Sequence, residues 1–433
     1  MWQVISYSKD TEFDQSLLNR GLEFDPAKEA AVREILEAVR QKGDAALLEY
    51  TAKFDGVELT SEKLQVSAAE LDAAQGAVST EFLEAVKFAA ERIRRYHRKQ
   101  LPENWSYQDE TGAVLGRRYL PLRRVGVYVP GGRAPYPSSV LMNVIPPQVA
   151  GVEEICLVTP PGPEGTVNPH ILAAAKVLGV KEIYRIGGAQ AIAAMAFGTE
   201  TIPRVDKICG PGNIYVTIAK KLVYGNVGID MLAGPSEIAV VADETANPVY
   251  VAADLLSQAE HDPEAGAFLF TTSLHLAKEV EAELIRQLAE LERAETARQA
   301  LKRWGRCILV SSLDEAIELV NILAPEHLEL YFAGARDWLE KVKAAGTVFI
   351  GGYTPEPLGD YASGTNHVLP THGTARFSSG LSVDDFLKRM SYSQYGPEAL
   401  EKLAPSVLVL AETEGFTAHA NAVRVRLKED NNE

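Results

Sequence analysis

Cysteine is scarce. The 433 residues hold only Cys156, Cys209 and Cys307, too widely spaced for a disulfide framework or a Cys-x-x-Cys metal clip. Positive charge is in deficit as well: 43 lysines and arginines face 59 acidic residues, a formal net charge of −16. The clustered basic face that a nucleic acid or an anionic membrane requires is therefore not expected, although helix N-termini can still hold an anionic cofactor locally. No apolar run is long enough to cross a bilayer, and the best stretch, 139–152, is interrupted by Pro146 and Pro147. The opening Met1-Trp-Gln-Val-Ile-Ser-Tyr-Ser-Lys-Asp lacks both the basic and the apolar segment of an export signal. Low-complexity tracts and short repeats of the solenoid kind are missing too. Together these absences lead us to expect a protein of a reducing cytoplasm.

What is present is an ordinary globular composition, 46% hydrophobic and 24% charged, in a chain too long for one core. The first hundred residues read as helices. Val32, Ile35, Leu36 and Val39 form a helical stripe, and Ser67 with Glu70 makes a capping box ahead of a further helical stretch running toward His97. From residue 125 the pattern alternates. Residues 125–129, 154–159, 182–186 and 206–209 read as buried strands, with helices at 169–179, 189–197 and 213–222. A second alternating series has strands at 237–242, 267–271, 307–311 and 347–351. Alternation of this kind implies parallel sheets with crossover helices. The last fifty residues return to short helices.

The standard dinucleotide fingerprint GxGxxG is absent after every strand. In its place stand three glycine-rich strand-to-helix turns, Pro130-Gly-Gly, Gly187-Gly-Ala-Gln190 and Gly210-Pro-Gly-Asn213, which suit either close approach to a phosphate or ordinary tight connections. Residues 351–380 lack helical or strand periodicity and carry Asp360, His367 and His372, so they form a loop of functional character. Gln258 and His261 lie three apart at the end of a helix that should stop before Pro263; the pair is either part of a metal site or a solvated helix end. Glu326 and His327 offer a carboxylate–imidazole pair for proton transfer, provided Pro325 bends the chain so that both face one pocket. Cys209 precedes a helix, where a thiol can be activated, but a buried inert cysteine at a strand end is the preferred reading. Glu414 and His419 sit near the C-terminus, before a helix at 420–427, with nothing local to mark their role.

These segments, in this order, resemble the histidinol dehydrogenase family. The resemblance runs through Val127-Tyr128-Val-Pro-Gly-Gly, Gly187-Gly-Ala-Gln190, Cys209-Gly-Pro-Gly-Asn213, Ala233-Gly-Pro-Ser236-Glu, Ser257-Gln-Ala-Glu-His261-Asp, Pro325-Glu-His327-Leu-Glu, Gly359-Asp-Tyr-Ala-Ser-Gly-Thr-Asn-His367 and Glu414 with His419. It implies an NAD-linked oxidation of L-histidinol to L-histidine through L-histidinaldehyde, with one Zn2+ per subunit and two NAD+ consumed per turnover. By the same resemblance Gln258, His261, Asp360 and His419 are the zinc ligands, and Glu326 and His327 do the acid–base work. Tyr128, Gln190 and Asn213 line the NAD site. The substrate is contacted by Ser236, His327, His367 and Glu414 together with the ligands Gln258, His261, Asp360 and His419. The implied assembly is an intertwined homodimer in which Glu414 and His419 complete the neighbouring subunit's site.

The fold class expected is α/β, with two incomplete Rossmann-like doubly wound parallel sheets and small helical appendages at both ends. The organisation expected is an arm at 1–22, a discontinuous main domain at 23–126 and 236–381, an inserted domain at 127–235, and a tail at 382–433 that crosses to the partner. Competing readings are a dehydrogenase of the same family acting on another small alcohol such as a sulfonated propanediol, a zinc hydrolase, and a non-catalytic histidine- or metal-binding protein. Retention of His367, Glu414 and His419 favours histidinol. The glycine turns would have no task in a hydrolase, and the Glu326–His327 pair would have none in a binding protein.

Overall fold

The computed structural model describes residues 2–7, 24–131 and 135–428; most of the expected arm at 1–22, and Gly132 of the first glycine turn, lie outside the described residues. In chain order the strands are β1 Gln3–Ser6, β2 Trp105–Gln108, β3 Val114–Pro121, β4 Arg124–Tyr128, β5 Glu154–Thr159, β6 Glu182–Arg185 and β7 Lys207–Cys209. They continue with β8 Gly228–Ile229, β9 Glu237–Ala242, β10 Gly266–Thr271, β11 Gly305–Leu309, β12 His327–Tyr331, β13 Thr347–Ile350 and β14 Leu387–Gln394. Two compact units result: Met1–Gln100 with Arg123–Phe386, and Leu101–Leu122 with Leu387–Glu433.

The first unit contains two all-parallel sheets. One is ordered β6-β5-β4-β7-β8 and the other β1-β11-β10-β9-β12-β13. Leaving aside the added β1, both follow the same rule: the first strand of each series is central, the next two lie to one side and the last two to the other. Strand order therefore reverses between β4 and β7 and between β9 and β12, the switch points of doubly wound sheets. The α/β class and its Rossmann-like winding are thus observed.

The strands read as near-continuous apolar runs because both faces are covered. In β9 every residue is buried; Ile238, Val240 and Ala242 pack with the helices Pro248–Ala259, Leu274–Leu288 and Ala294–Trp304, whereas Ala239 and Val241 pack with the helix Leu313–Leu323. That split is the two-residue period of a strand written into two cores. The stripe Val32, Ile35, Leu36, Val39 of the helix Pro26–Lys42 joins the core built on β4–β7, with Ala191, Ile192 and Met195 of the helix Gly188–Phe197.

Three local findings differ from the pattern reading. Gln3–Ser6 is a strand, created by pairing with β11 and carrying no alternation of its own. The last fifty residues contain β14 as well as helices; it pairs antiparallel with β3, which pairs antiparallel with β2, and these three strands with the helices Pro397–Thr413 and Thr417–Lys428 make the second unit. The residues of β2 and nearly all of β14 are exposed, so no buried face prints a pattern on them. Finally, Pro146 and Pro147 do not break their segment, which is the helix Pro137–Ala150. Each proline deprives the carbonyl four residues back of its partner. The carbonyl of Met142 is bonded instead by the Asn366 amide (Nδ2–O 2.8 Å), and that of Asn143 faces the Cys209 thiol (Sγ–O 3.9 Å). Among the described residues no helix is long and apolar enough to cross a membrane.

Candidate active site

The acid–base pair sits where β9 and β12 begin side by side. The helix Leu313–Leu323 ends on Ala324, a non-glycine residue in the left-handed region (φ 50°), and Pro325 follows. Backbone pairing toward β13 is already under way there, with Gly346 N–H on the Pro325 carbonyl (2.8 Å) and Thr347 N–H on that of Glu326 (3.0 Å). The next two side chains then close on one residue from its two sides. Glu326 Oε2 accepts from the Glu237 amide (3.0 Å), and His327 Nδ1 lies 3.2 Å from the Glu237 carbonyl oxygen. The carboxylate and the imidazole are 3.9 Å apart, and both are buried. Ser236, the residue before β9, is within hydrogen-bonding reach of Glu326. The two side chains thus reach one residue, after a left-handed turn at Ala324 immediately before Pro325.

The other ring nitrogen, His327 Nε2, lies 3.7 Å from Glu356 Oε1. His327, Glu356 and Asp360 each bring a donor atom to within 4.8 Å of the others'. Asp360 belongs to the short helix Pro357–Tyr361, and its carbonyl meets His367 Nδ1 at 3.1 Å, with its carboxylate at 3.8 Å from the same nitrogen. Gln258 ends the helix Pro248–Ala259 fully buried, with Oε1 lacking a partner among the described residues. His261 is past the helix end and exposed, yet close enough to His327 and His367 for its charge to bear on both. His261, Asp360, His367, Ser236, Glu326 and His327 are therefore brought together in the first unit, and Gln258 follows Ser257, whose hydroxyl donates to Glu356 Oε2 (3.2 Å). Glu414 and His419 lie in the second, both exposed, the His419 ring 5.0 Å from that of Phe416.

Burial governs the electrostatics. It pushes the Glu326 carboxyl well above the usual range, with the charges of Glu237 and Asp360 adding to the effect against the Glu237 amide and Ser236 hydroxyl. It lowers His327 to about 4 and drives His367 down as well. Glu356, buried beside Asp360, rises to about 9. Behind it Glu329 accepts from the Glu356 amide (2.9 Å) and is hydrogen-bonded to Asp254, whose carboxyl rises to about 6. The result is a neutral imidazole among converging carboxyls, an environment in which a divalent cation would shift the carboxyls back toward their charged form.

The second group of candidates lies at the opposite kind of edge, the carboxyl ends of β4 and β7, where doubly wound sheets bind ligands. The Tyr128 hydroxyl accepts from the Gly188 amide (3.1 Å). Gln190 is buried against Gly188, with Oε1 unpartnered among the described residues. Asn213 is exposed and caps the helix Ile214–Val223, its Oδ1 accepting from Tyr215 N (3.0 Å) and Val216 N (3.2 Å). Gly210 has φ 115°, and a Cβ there would stand 2.0 Å from the Tyr128 carbonyl oxygen, so this turn requires glycine. Cys209 is wholly buried and its thiol is held far above its ordinary value, consistent with an inert strand-end cysteine.

The sequence reading missed Glu237 as the anchor of the pair, and Glu356, Glu329 and Asp254 as the carboxyls behind it. It also missed how the long loop is fixed: Asn366, next to His367, bonds Met142 as described and lies 3.4 Å from Nε2 of the buried His97.

Comparison with known proteins identifies the family. The histidinol dehydrogenase family profile matches residues 19–427. The chain is 54% identical over 399 residues to the histidinol dehydrogenase of a Synechococcus strain, covering 92% of each. It is 51% identical over 433 residues to that of Clostridium acetobutylicum, covering 99% of this chain and 100% of the relative. The crystal structure of histidinol dehydrogenase from Elizabethkingia anophelis matches with a TM-score of 0.95 at 42% identity, over 99% of each chain. The chain belongs to the histidinol dehydrogenase family.

Proposed function

We propose that this protein performs a zinc-dependent, NAD-linked four-electron oxidation of L-histidinol to L-histidine through L-histidinaldehyde. The family membership makes it an oxidoreductase acting on histidinol in histidine biosynthesis. The observation that carries the finer reading is the convergence of Glu326 and His327 on the backbone of Glu237, with Asp360 and His367 close by.

Alcohol, water and two NAD+ give carboxylate, two NADH and three protons, so the site must remove a hydroxyl proton and later activate water. His327 suits the first task. With Nδ1–H donating to the Glu237 carbonyl, its Nε2 lone pair faces the cluster and can take a proton, and burial keeps the ring neutral and ready. Glu326, held by the Glu237 amide, would act on water in the second step as the carboxylate, the form that a bound cation nearby would favour over the neutral acid that burial prefers. NAD, when bound, supplies the hydride acceptor, and Tyr128, Gln190, Asn213 and the glycine turns around them are the residues that would receive it. Zinc would be held by Gln258, His261 and Asp360, with His419 as the fourth ligand, and would supply a cationic anchor for nitrogen donors of the substrate. The fit rests on the buried Gln258 Oε1, unpartnered among the described residues, and on the nitrogen and oxygen donors that the proposed ligands offer.

Glu414 and His419 are read as completing the neighbouring subunit's site in a homodimer. Support comes from the second unit itself, which leaves the large apolar side chains of Trp105, Tyr107, Val409, Leu410 and Phe416 exposed.

The test is to count NADH formed per histidinol consumed by the zinc-loaded protein. Two per substrate, abolished by a chelator and restored by zinc, is expected. One per substrate would overturn the assigned second step, and none would overturn the reading. In the same assay Glu326→Gln should keep zinc and NAD binding while slowing the water-dependent half by about 10²–10⁴-fold.

A further inference from the structure

Beneath the Gly210-Pro-Gly-Asn213 turn lies an ion pair removed from water. The Lys220 and Asp230 side chains are 3% and 1% exposed, and their ammonium and carboxylate are in contact. Both reach the same residue. Asp230 Oδ2 accepts from the Gly210 amide (2.8 Å), and Lys220 Nζ donates to the Gly210 carbonyl (3.1 Å). Lys220 comes from the helix that Asn213 caps, two turns further on, and Asp230 directly follows β8. The turn is thus a closed circuit, from β7 through Gly210 to Asn213, along the helix, and back from Lys220 to Gly210.

A buried ion pair is a poor stabiliser, because desolvating both charges cancels most of their attraction, and an apolar pair of similar size often serves stability as well. What the pair adds is placement. It fixes both polar backbone groups of a residue whose φ of 115° no side-chain-bearing residue adopts readily, at the switch point between β4 and β7. We propose that Lys220 and Asp230 are positioning residues for NAD, holding the Gly210–Asn213 turn in the shape that receives the dinucleotide. The proposal rests on the assignment of NAD to this edge.

The experiment measures KM for NAD and for histidinol, kcat, zinc content and NADH binding by fluorescence in the full-length protein. In Lys220→Met/Asp230→Leu two apolar side chains replace the pair. The expected result is a folded, zinc-loaded enzyme with kcat and histidinol KM within about twofold of wild type and NAD KM raised about tenfold, the signature of a displaced binding turn. An unchanged NAD KM, or NAD and histidinol KM rising together, would overturn the proposal. Should that variant not fold, Asp230→Glu decides. It keeps the charge but shifts the acceptor by one methylene, and about a threefold rise in NAD KM alone is expected; no rise overturns the proposal. A wild-type enzyme that oxidises histidinol without binding NADH fails the NAD assignment and the proposal together. Wild-type binding with unaffected variants fails the proposal alone.

Discussion

At Glu356, burial and the neighbouring Asp360 lift the carboxyl to about 9, and at Asp254 burial lifts it to about 6. In the unfolded chain both return to about 4. The folded, metal-free protein then holds protons at these two groups that the unfolded chain has released, so their contribution to stability falls as pH rises above about 4, through the Asp254 value and on toward that of Glu356. His327, neutral in the fold down to about pH 4, works the opposite way below about pH 6.5, so the urea midpoint of metal-free protein is expected to fall between about pH 6.5 and 9, and zinc is expected to flatten the decline by favouring the charged carboxylates. A flat metal-free profile would contradict neutral buried carboxyls. These residues also mark where the sequence stops being readable. Glu329 stands between Leu328 and Leu330, where strand alternation reads it as the solvent-facing side, and Glu356 lies between two prolines in a stretch without periodicity. Their burial is imposed by elements distant in the chain, whereas Glu326, His327, Asp360 and His367 are carried by recognisable motifs.

Among the elements, the helix Pro137–Ala150 is the one whose integrity depends on another segment. It runs through two prolines because Asn366 bonds the carbonyl that Pro146 leaves unpaired. Asn366→Leu should therefore strand a buried carbonyl at a cost of about 1–3 kcal/mol, read as a lower urea midpoint with an unchanged slope. A midpoint equal to wild type would mean that water replaces the amide. Element by element, the buried strands of both parallel sheets were legible from their apolar runs, since burial on both faces is a local compositional fact. The exposed strands β2 and β14 were not, because their pairing leaves no apolar side. Nor was the end of the Gln258 helix, which stops at Ala259 and leaves His261 outside the regular turn that an i, i+3 spacing presupposes.

For the whole molecule, the two sheets share one strand order but present opposite edges: carboxyl ends of β4 and β7 for the glycine turns, amino ends of β9 and β12 for the acid–base pair. The sequence motifs told which residues matter, but only the topology tells which edge each occupies. If Glu414 and His419 serve the neighbouring subunit, His261→Ala and His419→Ala chains, each inactive alone, should recover activity when mixed. Each mixed dimer would hold one site with both lesions and one intact site, giving about a quarter of wild-type activity at full exchange. No recovery would place all ligands on one chain. The bond between Asn366 and Met142 spans 224 residues and has a consequence for biosynthesis. Chains fold from the N-terminus as they leave the ribosome, so the helix carrying Pro146 is made long before Asn366 exists. Its open carbonyl is closed only when the segment bearing His367 arrives, and a chain truncated before that point carries a visibly unfinished helix for cellular quality control to find.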